Sequence, residues 1–261
     1  MFRREGSDLD EAHAPRRGIY LLPNLITTGA LFAGFYAIVA AMDDRFIPAV
    51  LAIYAAMVLD TADGRVARLT RTESAFGAEY DSLSDMVAFG VAPGLVAFSW
   101  ALSQLGQIGW VVTFIYMACA ALRLARYNTK GDISSFTGLA SPAAACLVVT
   151  SVWVMEDARG AHTAVSLLQA GVLAVVTTLA AMLMVANLRY FSPKLLRMRG
   201  RVPFIVLVAI VLGYAIVLAD PPKVLLVLTV AYALSGPVQW LLQWRRRARE
   251  QGRVEQPEGD E

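Results

Sequence analysis

The sequence predicts an all-α, polytopic membrane protein, and three features point there. Hydrophobic residues make up 57% of the 261, and the mean hydropathy is +0.54. Charged residues are only 17%, against about 25% in ordinary soluble domains. Apolar runs recur down the chain at lengths near the ~20 residues that cross a bilayer core. A soluble globular domain is excluded by this composition, and nothing in it points to nucleic acid as a partner.

Taken in order, residues 1–18 are polar and short of aromatics, as expected of a flexible cytoplasmic segment. The first apolar run, 21–42, is too long and too deep in the chain for a cleaved signal peptide. Runs follow at 47–59, 86–102, 109–122, 141–155, 164–186, 202–219 and 224–242, and the stretch 141–155 is short for a crossing. This gives about eight transmembrane helices. A six-helix catalytic core would occupy 19–200, two further helices 201–245, and a flexible cytoplasmic tail 246–261.

The cations orient the bundle. With the N-terminus in the cytoplasm, 20 of the 23 Lys and Arg fall on cytoplasmic segments, and only Arg45, Arg159 and Lys223 fall outside. Such a bias is what the positive-inside rule describes, and it places both termini in the cytoplasm. Cys119 and Cys146 lie in apolar runs and read as small packing residues. His13 and His162 read as solvated.

The stretch from Asp60 to Asp85, DTADGRVARLTRTESAFGAEYDSLSD, interrupts the apolar pattern. Asp60, Asp63, Gly64, Ala67 and Arg68 fall at i, i+3, i+4, i+7 and i+8, which is one helical face. Gly77, Asp81 and Asp85 fall at i, i+4 and i+8, again one face. The residues between them suffice for a turn joining two antiparallel helices, so four carboxylates can converge near the membrane surface. Four convergent carboxylates repel one another unless a cation compensates them. All-oxygen ligands with no His or Cys nearby favour Mg²⁺ or Mn²⁺, and two-metal sites of this kind clamp phosphates. Gly64 and Gly77 would let a phosphate approach the backbone, and Arg68 can offer a bidentate phosphate contact. The plainer alternative is a solvated loop whose acids pair with Arg65, Arg68 and Arg71. It leaves unexplained why both faces carry carboxylates at one-turn spacing beside glycines. Ionisable residues in membrane helices are costly and mark function. Glu73 and Glu79 lie off both faces and read as surface.

The pattern Asp60-x2-Asp63-Gly64-x2-Ala67-Arg68-x8-Gly77-x3-Asp81-x3-Asp85 resembles the full signature of the CDP-alcohol phosphotransferases. These are membrane enzymes that displace CMP from a CDP-linked donor with an alcohol. The resemblance implies that Asp60, Asp63, Asp81 and Asp85 ligate two divalent cations, and that Asp85 also takes the proton of the attacking hydroxyl. It implies that Gly64, Arg68, Ser74 and Gly77 contact the head of CDP-diacylglycerol. LLPNLIT, at 21–27, is similar to the stretch lining the donor site, which adds Asn24 and Thr27; Asn24 is equally a helix-start residue after Pro23. ALRLARYN (121–128), FTGLASPAAA (136–145), MVANLRY (184–190) and LSGPVQW (234–240) resemble the bacterial and archaeal phosphatidylserine synthases of the family. One departure is Ala140, where that branch usually has proline. L-Serine as acceptor carries a carboxylate, for which Arg123 and Arg126, with Asn128 just beyond, are candidates. The same arginines also satisfy the positive-inside rule. The resemblance further implies CMP as product, a homodimer among membrane lipids, and an active site facing the cytoplasm of a prokaryotic cell.

Other readings remain at this point. Glycerol 3-phosphate or inositol phosphate could serve as acceptor, given further cations near the metals. A cation-coupled transporter would use the aspartates as an ion site, though midplane placement on broken helices would suit it better. Gly90 and Gly94 read as helix-packing positions, Pro93 and Pro142 as kinks, and Arg245–Arg249 as a lipid anchor.

Overall fold

The computed structural model describes residues 21–129, 138–159, 164–188, 190 and 204–254, and these are helical apart from short connections. The helices are α1 (Leu21–Met42), α2 (Phe46–Thr70), α3 (Ala75–Trp100), α4 (Gln107–Thr129), α5 (Ser141–Arg159), α6 (Leu167–Val185), α7 (Phe204–Ala219) and α8 (Pro221–Val254). The N-terminal segment expected at 1–18 and the boundary near 200 lie outside the described residues. The last helix runs past position 245 to Val254.

Among the described residues six helices are long and apolar enough to cross a bilayer: α1, α2, α3, α4, α6 and the first 23 residues of α8. The other two fall short in different ways. α7 has 16 residues, about 24 Å at 1.5 Å per residue. α5 has 19 residues, but its last turn carries Glu156, Asp157 and Arg159. Its middle is enclosed by neighbours, every residue from 144 to 152 being buried.

α1 lies along α2, and α5 is packed by α2, α3, α6 and α8. Small residues make the close contacts. The buried face of α1 is Pro23, Thr27, Ala30, Gly34, Ala37 and Ala41, at alternating spacings of four and three. The facing row on α2 is Ala49, Ile53, Ala56 and Asp63. Without a hydrophobic driving force between helices in lipid, such small-residue seams let backbones approach and gain dispersion contact. Gly34 also takes α1 close to α3: a methyl there would sit 2.8 Å from the Ala88 Cα. Leu25, Phe32, Phe35, Phe114 and Leu179 point outward and exposed, which is the lipid-facing half of the same pattern.

α3 is interrupted. Residues Met86–Val91 widen into a π-helical turn directly after Asp85, and Pro93 follows. Pro93 has no N–H to give the Phe89 carbonyl four residues back. The hydroxyl of fully buried Tyr116, on α4, donates to that carbonyl at 3.0 Å. A neighbouring helix thus satisfies what the proline leaves open. Gly90 and Gly94 do sit at this α3–α4 contact, beside Ala120 and Met117. Pro142 is no kink: it stands in the first turn of α5, where its missing N–H costs nothing.

Among the described residues three ion pairs form, and all involve the three cations placed on the outer side by sequence. Arg45 pairs with Asp43 at 3.2 Å, Arg159 with Glu156 at 2.8 Å, and Lys223 with Asp220 at 2.6 Å. Glu156 also accepts from the Trp100 indole at 2.6 Å, tying the far ends of α3 and α5 together. The aspartate cluster lies at the other end of the bundle.

Labelling tests the orientation. In a background lacking Cys119 and Cys146, Asp43→Cys should react with an impermeant maleimide from outside intact cells, and Glu73→Cys should not. Both positions are exposed, so a reversed pattern would invert the topology.

Candidate active site

The site grows out of the α1–α2 seam. Continuing the α2 row one turn past Ala56 brings Asp60 and then Asp63 onto the same face. α2 ends in a left-handed Arg71, whose amide and that of Thr72 bond back to the Arg68 and Ala67 carbonyls. Four residues later α3 starts. Ser74 caps it, accepting from the Gly77 amide at 3.0 Å, as Ser does at an N-cap. The tight turn sets α3 antiparallel to α2 and presents Asp81 and Asp85, one turn apart, to Asp60 and Asp63.

Oxygens of Asp60, Asp63 and Asp81 all come within 4.8 Å of one another. The Asp85 carboxyl lies within hydrogen-bonding range of Asp60. None of the ion pairs among the described residues involves these acids. The solvated loop neutralised by Arg65, Arg68 and Arg71 is therefore not what forms. Two carboxylates hold such proximity only with a shared proton or a shared cation. The donor set is all oxygen and fits a hard divalent ion.

α1 completes the site. Thr27 donates to Asp63 Oδ2 at 2.7 Å, while Ser84 donates to the Thr27 carbonyl at 3.2 Å. Thr28 and Tyr80 share a hydroxyl–hydroxyl bond of 2.9 Å. Thr27 thus orients a carboxylate. Asn24 stands at the back of Gly77: a methyl on Gly77 would lie 3.3 Å from Asn24 Oδ1 and 3.1 Å from Ser74 Oγ. Gly64 differs, since a methyl there would meet only Arg68 Nη2, at 3.8 Å. The face of α2 beside the aspartates is open. Arg68 folds over it, its Nε donating to the Gly64 carbonyl at 2.7 Å.

The three acceptor candidates separate. Arg123 is partly buried, donates to Ser141 Oγ at 2.6 Å, and keeps a buried Nε without a partner among the described residues. It lies within electrostatic range of Asp85. Arg126 is engaged at the end of α6, with the Val185 carbonyl at 3.3 Å and the Asn187 side chain. Asn128 is paired with Ser82 on α3, through bonds of 3.0 and 3.3 Å.

Sequence reasoning passed over Thr28, Tyr80, Ser82, Ser84 and Ser141. Each is a hydroxyl whose partner lies on another helix, so no spacing marks it.

The profile of the CDP-alcohol phosphatidyltransferases matches residues 20–186, which takes in the aspartate cluster and α1 to α6. The chain belongs to this family. It is an integral membrane protein, and the family uses divalent cations, which the aspartate cluster can hold. Proteins named CDP-diacylglycerol–serine O-phosphatidyltransferase are similar to it. The one from Helicobacter pylori is 37% identical over 230 residues, covering 87% of this chain and 94% of its own. The one from Methanocaldococcus jannaschii is 35% identical over 191 residues, covering 72% and 82%. The one from Bacillus subtilis is 39% identical over 132 residues, covering 50% and 75%. The match to the Helicobacter protein is too long to stop at α6, so it takes in helices beyond the family domain.

Proposed function

We propose that this CDP-alcohol phosphatidyltransferase makes phosphatidylserine: CDP-diacylglycerol and L-serine give phosphatidylserine and CMP. The convergence of Asp60, Asp63 and Asp81 carries the chemistry, and the names of the relatives support serine as acceptor. Asp60, Asp63, Asp81 and Asp85 would hold two divalent cations, Mg²⁺ or Mn²⁺, which when bound supply positive charge to the donor's diphosphate.

The remaining work falls to the chain. Gly64 leaves room for the donor head, Arg68 is placed to contact its phosphates, and Ser74, Gly77 and Asn24 shape the neighbouring wall. Thr27 fixes the rotamer of Asp63. Asp85 accepts the proton of the serine hydroxyl. The hydroxyl oxygen forms its bond to the phosphorus that carries the diacylglycerol, and the bond from that phosphorus to CMP breaks with its electron pair. Arg123 takes the serine carboxylate, while Arg126 and Asn128 hold the end of α4 in place through α6 and α3. The acyl chains stay in the leaflet, and the site faces the cytoplasm of a prokaryotic cell. A homodimer follows by family analogy.

The test is CMP release by purified protein given CDP-diacylglycerol, Mn²⁺ or Mg²⁺, and a panel of labelled alcohols. Turnover with glycerol 3-phosphate and none with serine would overturn the acceptor assignment and leave the phosphotransfer chemistry standing. Arg123→Lys keeps the charge but loses the two-pronged contact. We expect it to raise the KM for serine about tenfold while the KM for CDP-diacylglycerol stays put. A rise confined to the donor KM would move Arg123 to the donor phosphate.

A further inference from the structure

α8 lies outside the matched family domain, yet it closes on the end of the bundle that holds Arg123. Its inward residues include Pro222, Ala233 and Gly236, and it packs on α5. Pro237 stands inside this helix. With no N–H, it leaves the Ala233 carbonyl without its intrahelical partner. That carbonyl is met from elsewhere: the Tyr190 hydroxyl donates to it at 3.2 Å, in a buried setting. The Tyr190 ring lies against Gly236, where any side chain would collide with it, and 5.7 Å from the ring of Tyr232.

The anchor point is itself fixed. The end of α6 and the segment leading to Tyr190 bond to the turn before α5, Leu139 N to the Leu183 carbonyl at 2.8 Å and Gly138 N to the Leu188 carbonyl at 2.9 Å. That turn leads straight into Ser141, the partner of Arg123. Tyr190, Ala233, Gly236 and Pro237 therefore form one clasp, joined through that turn to Ser141 and Arg123.

We propose that Tyr190 is a positioning residue for the acceptor side of the site: its hydroxyl fastens α8 through the carbonyl that Pro237 leaves free, and so holds the segment bonded to the turn that sets Ser141 against Arg123. The helix outside the family domain thereby sets the affinity for the acceptor. This rests on Arg123 receiving the serine carboxylate.

The experiment uses the full chain in mixed micelles and measures both KM values, kcat and the thermal midpoint. Tyr190→Phe removes one oxygen. The KM for serine should rise about fivefold, the loss of one hydrogen bond, with kcat and the KM for CDP-diacylglycerol unchanged within about twofold. In Tyr190→Phe/Pro237→Ala, the new amide gives Ala233 its helical partner. That variant should regain the wild-type thermal midpoint and keep the raised serine KM. If the serine KM returns with the midpoint, Tyr190 only satisfies a carbonyl and the proposal falls. It falls equally if Tyr190→Phe leaves the serine KM unchanged or raises both KM values alike. Should the wild type release no CMP with serine, the acceptor assignment is what has failed, and the clasp is then judged by the same ratios on whichever alcohol of the panel supports release.

Discussion

Asp81→Asn should abolish CMP release in a protein that still inserts and purifies normally. The change is isosteric and removes one charge from a cluster whose oxygens lie within 4.8 Å of one another. Lewis-acid stabilisation at such a site amounts to several kcal/mol, which translates into a loss of about a thousandfold or more. Folding should not suffer, because one source of carboxylate repulsion is gone. Two measurements check this: turnover at saturating Mn²⁺, and the rise in thermal midpoint that Mn²⁺ gives by binding the folded state. Both should be lost together. Near-normal turnover would refute the assignment of Asp81 as a metal ligand.

Gly138→Val should prevent stable folding. Gly138 has φ +87°, where a side chain costs about 1–3 kcal/mol in strain. A Cβ there would also run into the Met184 carbonyl, which is backbone and cannot swing away. The turn it occupies joins the start of α5 to the end of α6 by two hydrogen bonds from backbone amides. We expect the thermal midpoint to fall by about 10 °C or more, or no folded protein to be recovered. Ala140→Pro is the matched control two residues on. The Ala140 amide makes no backbone hydrogen bond among the described residues, so proline should leave the midpoint unchanged or slightly raised. A folded Gly138→Val with the wild-type midpoint would show that the turn can be rebuilt.

The aspartates were legible because two helical faces each repeat a carboxylate at one-turn spacing, and a four-residue turn can only set those faces together. The helices were legible as apolar runs of membrane length. What escaped were contacts between residues far apart in sequence. Thr27 meets Asp63 across 36 residues, and Tyr190 meets Ala233 across 43. Nothing in either neighbourhood names the partner. Arg126 and Asn128 read as candidates for the serine carboxylate because the Val185 carbonyl and Ser82 that engage them lie on other helices. Pro142 read as a kink because a proline in an apolar run looks the same at a helix start as in its middle. The resemblance to a family supplied what spacing could not, the identity of the donor and acceptor.

The ion-paired end of the bundle has an electrical consequence. Asp43, Asp44, Glu156, Asp157 and Asp220 gather there with only Arg45, Arg159 and Lys223. If the aspartate site faces the cytoplasm, as proposed, this end is the one carried outward during insertion. A resting potential, negative inside, resists the export of each lone cation by about 2.3 kcal/mol per 100 mV. Here every described cation travels with an acid and the acids are in excess, so the voltage draws these loops across the bilayer.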